Sequence, residues 1–216
     1  MMKKKKRLKV ALFISEMPNW NILPGIMKWI RRNNPWQLYL QTNALGEEQS
    51  MRRLKKWGCD GILIIRSESP KACRAAGKAG VPVVEIQPSF VKTSSGHFLK
   101  NQSFTRVDDP AIAAMAARHL IDNGFENFAF VGNAKKMQWS ENRQNVFSRA
   151  IKKAGFSCNI YPSPKSRARD DWALEEGKMR QWLKGLPKPC AIFAANDIRA
   201  QQVLDACLSE DIPVPE

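Results

Sequence analysis

Cysteine and histidine are scarce in this chain. Its 216 residues include five cysteines and two histidines, with no C-x-x-C pair and no histidine at metal-ligand spacing from a cysteine. This pattern excludes a disulfide framework and the usual zinc motifs. The odd number of cysteines is typical of reduced thiols in a cytoplasmic protein, and we assign no metal and no cofactor.

Long apolar runs are also missing. The start of the chain is basic from Lys3 to Arg7, and the apolar run that follows, Val10 to Ile14, is too short for the core of a secretion signal. No stretch approaches the roughly 20 apolar residues of a membrane-spanning helix. We therefore expect a cytoplasmic protein that makes no contact with a membrane.

Motifs of the common enzyme classes are absent. The sequence has no G-x-G-x-x-G after its first predicted strand, no P-loop, no nucleophile elbow and no H-E-x-x-H. Gly132 to Lys136 is a poor phosphate loop, and neither His97 nor His119 has a partner at catalytic spacing. These features favour binding over catalysis, and we predict no catalytic residue.

Acidic residues are few relative to basic ones. The chain has 20 Asp plus Glu against 35 Lys plus Arg, a formal net charge of +15. Such a balance favours association with polyanions through the release of counterions. An ordinary solvated surface with a basic tail at residues 1–7 explains the excess equally well, and both interpretations stay open.

A repeated junction organises the chain: a helical stretch ends at a glycine, and a β-rich apolar run follows within a few residues. It occurs four times, at Gly58, Gly80, Gly124 and Gly155. Glycine just past the last helical turn takes the left-handed conformation without a Cβ clash, so each of the four is predicted to end a helix. The predicted order is therefore strand, helix, strand, helix.

Two apolar runs, Val10–Ile14 and Ala191–Ala195, are continuous and do not alternate with polar residues. Strands covered by helices on both faces have this pattern, which predicts parallel sheets in an α/β fold. The predicted strands lie near residues 8–15, 36–41, 60–65, 82–86, 103–107, 127–131, 157–161 and 190–195. The run at 103–107, which follows the aperiodic segment 88–101, is interpreted as the crossover between two lobes.

Polar and aromatic residues follow the predicted strands, at the edge where Rossmann-like folds bind ligands. Carboxylates, amides and a guanidinium group bind sugar hydroxyls, and an indole stacks on the sugar ring. The candidate ligand-binding residues are Glu16, Trp20, Asp108, Trp139, Arg143, Trp172, Asn196 and Asp197. An alternative stays open before Pro110, because Asp108 or Asp109 also suits a helix N-cap.

Several motifs together resemble one family. They are Val107-Asp108-Asp109 before Ala116–Leu120, Phe128–Gly132, Trp139–Arg143 with Phe147, Asn196–Ala200 and Ile212–Glu216. In this order and spacing, the chain resembles the lactose-repressor and ribose-binding-protein superfamily. Within that superfamily it is similar to the effector domains of xylose-operon regulators of the AraC type.

The resemblance implies a periplasmic-binding-protein type I fold, with two Rossmann-like lobes built on parallel sheets. The lobes would comprise residues 8–107 and 108–216, after the basic tail at residues 1–7. The resemblance also implies that the second lobe is truncated at its C-terminus. In a full-length protein, a helix-turn-helix module that these residues do not contain would follow and would contact DNA, in a homodimer.

The same resemblance implies a small-molecule sugar bound between the lobes, with Asp108, Arg143 and Asp197 at ligand positions. Trp20 stands near the place where the family has the arginine of a Tyr-x-Arg element. This departure leaves the identity of the sugar open, and a pentose such as xylose is favoured.

The function expected from these observations is that of a sugar-sensing effector domain of a bacterial transcription regulator. One alternative is a transport-type sugar-binding protein, which shares the fold but requires an export signal. A second alternative is a doubly wound enzyme acting on a nucleotide or a sugar phosphate, which requires a glycine-rich phosphate loop.

Overall fold

A computed structural model describes residues 7–14, 22–33, 36–41, 48–65, 75–87, 102–135, 137–162 and 172–215. The chain is an α/β protein with two sheets in which every strand pair is parallel, so the predicted fold class is confirmed. It divides into two compact units, Met1–Val107 and Asp108–Glu216. Within the described residues, no helix is both long enough and apolar enough to span a bilayer.

The first unit is built on a five-stranded sheet in the order β2-β1-β3-β4-β5. Its elements are β1 (Lys9–Ile14), α1 (Ile22–Arg32), β2 (Gln37–Gln41), α2 (Glu48–Trp57), β3 (Gly61–Ile65), β4 (Val83–Ile86) and β5 (Gln102–Thr105), and residues 75–77 are also helical. Strand β2 pairs on one side of β1, and β3 pairs on the other side. Because parallel connections are right-handed, this change of direction places α1 and α2 on opposite faces of the sheet.

Strand β1 is the centre of the first unit. Ala11 and Phe13 belong to the apolar cluster that includes Leu54 of α2, whereas Leu12 and Ile14 belong to the cluster on the side of α1. All four of these β1 side chains are at most 3% exposed. Helices therefore cover both faces of β1, which confirms the prediction made from the continuous apolar run at Val10–Ile14.

The second unit has a three-stranded sheet in the order β7-β6-β8. Its elements are α3 (Asp109–Asp122), β6 (Phe128–Val131), α4 (Gln138–Lys153), β7 (Cys158–Ile160), α5 (Trp172–Lys184), β8 (Ala191–Ala194) and α6 (Asp197–Leu208). Strand β6 is central, and all four of its residues are fully buried. Phe147 of α4 packs against Phe130 and Phe193 and covers one face of this sheet.

The run at Ala191–Ala195 is less buried than its apolar sequence predicts. Ala191 and Ala195 are buried, but Ile192, Phe193 and Ala194 are only half-buried. The reason is topological, because β8 lies at an edge of the three-stranded sheet and pairs with β6 alone within the described residues.

The four helix-ending glycines have the predicted conformation. Their φ angles are 73° at Gly58, 75° at Gly80, 80° at Gly124 and 92° at Gly155. Each therefore adopts the left-handed backbone that side chains with a Cβ rarely take. The junction pattern in the sequence was sufficient to locate these four turns.

The run at residues 103–107 forms most of the edge strand β5. Residues 102–105 pair in parallel with β4, and α3 begins four residues after the strand ends. The run thus completes the first sheet, and the passage to the second unit comes directly after it. The aperiodic segment 88–101 lies outside the described residues.

Candidate functional site

The carboxyl edge of the second sheet brings several polar side chains together. Strands β6 and β8 are parallel neighbours, so the residues that follow Val131 and Ala194 lie at the same edge. Asn133 comes after β6, and Asn196 comes after β8. Helices α3 and α4 add their first turns to this edge. We refer to this group as the edge site of the second unit.

Arg143 is the centre of the edge site. Its Nε donates to Asp109 Oδ1 at 2.9 Å, and its Nη1 donates to the carbonyl oxygen of Ala195 at 2.7 Å. The Arg143 and Asp109 side chains are 18% and 9% exposed. These charge-assisted contacts hold one guanidinium group between α3, α4 and the end of β8.

The indole of Trp139 completes the surroundings of Arg143. The guanidinium carbon lies 5.0 Å from the centre of the Trp139 ring, one helical turn earlier in α4. A cation over an indole face is attracted by the ring quadrupole. Among the described residues, no hydrogen-bond partner of Arg143 Nη2 is found. The guanidinium is therefore fixed on one side and retains donors for an external oxygen.

The two asparagines connect the loops after β6 and β8. Asn196 Nδ2 donates to Asn133 Oδ1 at 3.2 Å, and Asn196 Oδ1 accepts from the backbone N–H of Arg199 at 2.9 Å. The backbone N–H of Asn133 donates to Ser140 Oγ at 2.9 Å. Asn196 therefore caps α6 and also aligns the two loops that border Arg143.

The sequence left open whether Asp108 or Asp109 caps helix α3, and the structure gives the two carboxylates different partners. Asp108 is the N-cap of α3, and its Oδ1 accepts from the backbone N–H of Ala111 at 3.0 Å. Asp109 does not cap the helix but pairs with Arg143. Asp108 is exposed, and its ligand role stays a prediction.

A substitution at Asp108 separates its two roles. Asn is as good an N-cap as Asp, so Asp108→Asn is expected to leave the free energy of unfolding nearly unchanged, whereas Asp108→Ala is expected to cost about 1 kcal/mol. Urea denaturation of both variants measures this difference. A loss of sugar affinity in Asp108→Asn would then report a ligand contact, and unchanged affinity in both variants would leave Asp108 with the cap only.

The other predicted residues fall in different places. Asp197 is the first residue of α6 and is exposed beside Asn196. Trp172 begins α5 and packs against the apolar cluster that contains Tyr161 and Met179, which is the arrangement of a core residue. Glu16 and Trp20 lie outside the described residues. The ligand roles of all of these residues stay predictions.

The sequence-based selection omitted Asp109, although Asp109 is the partner that orients Arg143. The doublet Asp108-Asp109 before a proline was the available signal, since one helix start uses only one N-cap residue. The second carboxylate of such a doublet is then available for a different partner. Here that partner stands 34 residues later in the chain.

A second group, which is buried, connects α6 to α5. Arg199 and Glu175 are each 2% exposed and form a two-pronged ion pair, with Nη2 to Oε1 at 2.7 Å and Nη1 to Oε2 at 3.1 Å. The Arg199 guanidinium also lies 5.6 Å from the centre of the Tyr161 ring. Burial, and then the charge of Glu175, raise the pKa of Tyr161. The pair anchors α6, and with it Asn196, to α5.

The described residues contain no arrangement of metal ligands, and two of their thiols, Cys158 and Cys190, are made less reactive by burial. No group of three or more His, Cys, Asp or Glu side chains is arranged to hold a metal ion within them. Burial raises the pKa of Cys190 to about 11 and also raises the pKa of Cys158. These thiols are therefore protonated at neutral pH, when they are poor nucleophiles. The edge site is suited to hydrogen bonding and stacking.

Comparison with known proteins shows what this chain is similar to. Residues 117–216 match the model of the periplasmic binding protein-like domain. The xylose operon regulatory protein of Haemophilus influenzae is 27% identical over 214 residues, which cover 96% of this chain and 53% of that protein. The chain spans about half the length of the curated xylose operon regulatory proteins it matches.

Solved structures agree in fold. The structure of the xylose-binding transcription activator xylR aligns with a TM-score of 0.74 and 20% identity, covering 97% of this chain and 52% of that one. A periplasmic binding protein/LacI transcriptional regulator from Alkaliphilus metalliredigens, complexed with D-xylulofuranose, aligns with a TM-score of 0.63 and 17% identity, covering 96% of this chain and 74% of that one. The resemblance predicted from the sequence is therefore confirmed: residues 117–216 match the periplasmic binding protein-like domain, and the curated relatives are named xylose operon regulatory proteins.

Proposed function

We propose that this chain is the sugar-sensing part of a transcription regulator and that its edge site binds a small polyol, with a pentose such as xylose favoured. The observation that carries the proposal is the arrangement of Arg143. Asp109 and the Ala195 carbonyl hold its guanidinium, and Trp139 lies against it. No hydrogen-bond partner of Nη2 is found among the described residues, so Nη2 can donate to a ligand.

The chemistry of this arrangement suits a sugar. A guanidinium group donates to two oxygens in one plane, which matches adjacent hydroxyls, and the exposed carboxylates of Asp108 and Asp197 accept hydrogen bonds from hydroxyl groups. An indole offers the apolar surface on which a sugar ring packs. Because the guanidinium is held before the ligand arrives, binding costs little side-chain entropy.

The similar proteins support the same interpretation. Relatives along nearly the whole chain are named xylose operon regulatory proteins, and one structural neighbour holds D-xylulofuranose. In the full-length protein, a helix-turn-helix module outside these residues would bind DNA, and we propose a cytoplasmic homodimer. A ligand that binds one conformation more tightly would shift the population toward it and thereby change DNA binding.

Thermal unfolding of the unmodified chain tests the ligand class directly. At a xylose concentration 100 times Kd, binding adds about 2.7 kcal/mol to the free energy of unfolding, which raises the Tm by several degrees. We expect this rise with xylose and a smaller one with glucose. A rise with AMP or with a sugar phosphate, and none with any free sugar, would favour the doubly wound enzyme instead and would contradict the proposal.

A further inference from the structure

The net charge of the chain is distributed unevenly between its two halves. Residues 1–107 contain 20 basic and six acidic residues, whereas residues 108–216 contain 15 basic and 14 acidic residues. Nearly all of the positive excess therefore belongs to the first unit. Neither the edge site nor the proposed sugar function uses this charge.

The structure collects many of these charges at one edge of the first sheet. In a parallel α/β unit, the starts of the strands and the ends of the helices lie at the same edge. Arg31 and Arg32 are in the last turn of α1, and Lys55 and Lys56 are in the last turn of α2. The exposed basic residues at this edge, which we call the basic edge, are Arg7, Arg31, Arg32, Lys55, Lys56 and Lys78.

Acidic residues do not neutralise the basic edge. Within the ranges that the structure describes, Asp60 is the acidic residue at this edge, and its carboxylate accepts the backbone N–H of Lys9 at 2.8 Å. No ion pair of the six basic-edge residues is found in those ranges. The six cations therefore form a field of one sign.

The dimensions of the basic edge match a short stretch of duplex. The residues are distributed from the start of β2 past β1 and β3 to the start of β4, which is three strand intervals. At about 4.8 Å for each interval, the edge is roughly 14 Å wide. That width corresponds to about four base pairs at 3.4 Å each, so several phosphates face the edge at once.

The helix dipole explains part of this arrangement but not all of it. Cations are favoured at helix C-termini in any protein, and α4 of the second unit also ends in two lysines, Lys152 and Lys153. In that unit, however, acidic residues accompany the cations, and Lys184 at the end of α5 forms an ion pair with Glu210. The first unit has the same dipoles, and Asp60 is the acidic residue that its described part places at the basic edge.

We propose that the basic edge binds the phosphodiester backbone of double-stranded DNA without reading its sequence. The choice of DNA rests on the proposed function, which places the chain beside an operator. An anionic membrane would attract the same charges, but Ile30 of α1 and Leu54 of α2 are buried. These two side chains therefore face the sheet, and Trp29 of α1, 49% exposed, is the one large apolar side chain that the described parts of the two helices leave exposed. A helix that lies on a membrane presents a whole apolar face to it.

Fluorescence anisotropy of a labelled 20-base-pair duplex of arbitrary sequence, titrated with the full 216-residue chain from 50 to 200 mM KCl, tests the proposal. We expect the logarithm of the binding constant to fall linearly with the logarithm of the KCl concentration. In Lys55→Glu/Lys56→Glu, the affinity should fall about tenfold or more, and the slope should become shallower by about two, because two phosphate contacts are lost.

Lys152→Glu/Lys153→Glu is the matched control, because it reverses the same dipeptide at the same place in a helix of the second unit. It should retain DNA binding within about twofold, since its lysines are not part of the basic edge. Circular dichroism verifies that both variants are folded. If the helix-end charge reversal impairs folding, Arg31→Gln/Arg32→Gln at the end of α1 should still lower affinity and slope.

Three results would overturn the proposal. They are DNA binding without salt dependence, equal weakening in the Lys55/Lys56 and Lys152/Lys153 variants, and binding to vesicles of phosphatidylserine and phosphatidylcholine but not to the duplex. The xylose-dependent rise in Tm, measured on the same samples, is independent of this outcome. Intact xylose binding without DNA binding would remove only the basic-edge proposal, and DNA binding without any sugar response would remove only the proposed function.

Discussion

Replacing Arg143 by alanine is expected to reduce the xylose-dependent rise in Tm to about half of its value in the unmodified chain, or less. The guanidinium is the group of the edge site that is held in place before ligand binds, through Asp109 and the Ala195 carbonyl. Losing a charged donor to a hydroxyl costs about 1.5–3 kcal/mol of binding free energy, which is roughly a 10- to 150-fold rise in Kd. Isothermal titration calorimetry with xylose measures this change.

The Arg143→Ala variant also leaves Asp109 without its partner, so its Tm without ligand should fall. The informative quantity is therefore the difference between the Tm with and without xylose for each variant.

Arg149→Ala is the matched control, since Arg149 lies on the same helix and its Nε donates to the carbonyl oxygen of Asn145 in the preceding turn. Trp139→Leu keeps the ion pair and tests the stacking surface. Full xylose stabilisation in Arg143→Ala would place the sugar elsewhere.

Replacing Arg199 by alanine is expected to destabilise the chain more than any other single change discussed above. Both partners of the Arg199–Glu175 ion pair are 2% exposed, so the variant leaves a carboxylate buried without its counter-charge. Breaking a buried pair in this way costs about 3–5 kcal/mol. Urea denaturation, followed by circular dichroism, measures the loss.

The double variant Glu175→Met/Arg199→Met distinguishes the effect of an unpaired buried charge on stability from the effect of lost side-chain volume. It removes both charges and keeps an apolar volume, so it should recover much of the stability lost in Arg199→Ala. Arg118→Ala is the comparison at the surface, because Arg118 and Asp122 form an ion pair whose side chains are 84% and 64% exposed. Its effect should be within about 0.5 kcal/mol. If Arg199→Ala and Arg118→Ala have equal effects, the buried pair is not a determinant of stability.

The ion pair also connects stability to the edge site. Arg199 is held by Glu175 of α5, and its backbone N–H donates to Asn196 Oδ1. Asn196 in turn contacts Asn133, which lies in the loop after β6. A loosened α6 is therefore expected to disturb the residues around Arg143 before the unit unfolds.

Much of this fold can be predicted from short stretches of the sequence. All eight predicted strands are present within a few residues, and the four helix-ending glycines have positive φ angles. The cause is local, because left-handed glycines, N-caps and continuous apolar runs act through neighbours a few residues away. The same local logic predicted that an aspartate before Pro110 caps a helix.

The amino-acid sequence by itself thus determined the alternation of strands and helices and the edges at which polar residues gather. The tertiary structure decided which side chains meet: Asp109 with Arg143 across 34 residues, Glu175 with Arg199 across 24, and Trp172 with the core. It also assembled six dispersed cations into one basic edge. Such pairings depend on how whole elements pack, and no residue's immediate neighbours in the chain carry that information.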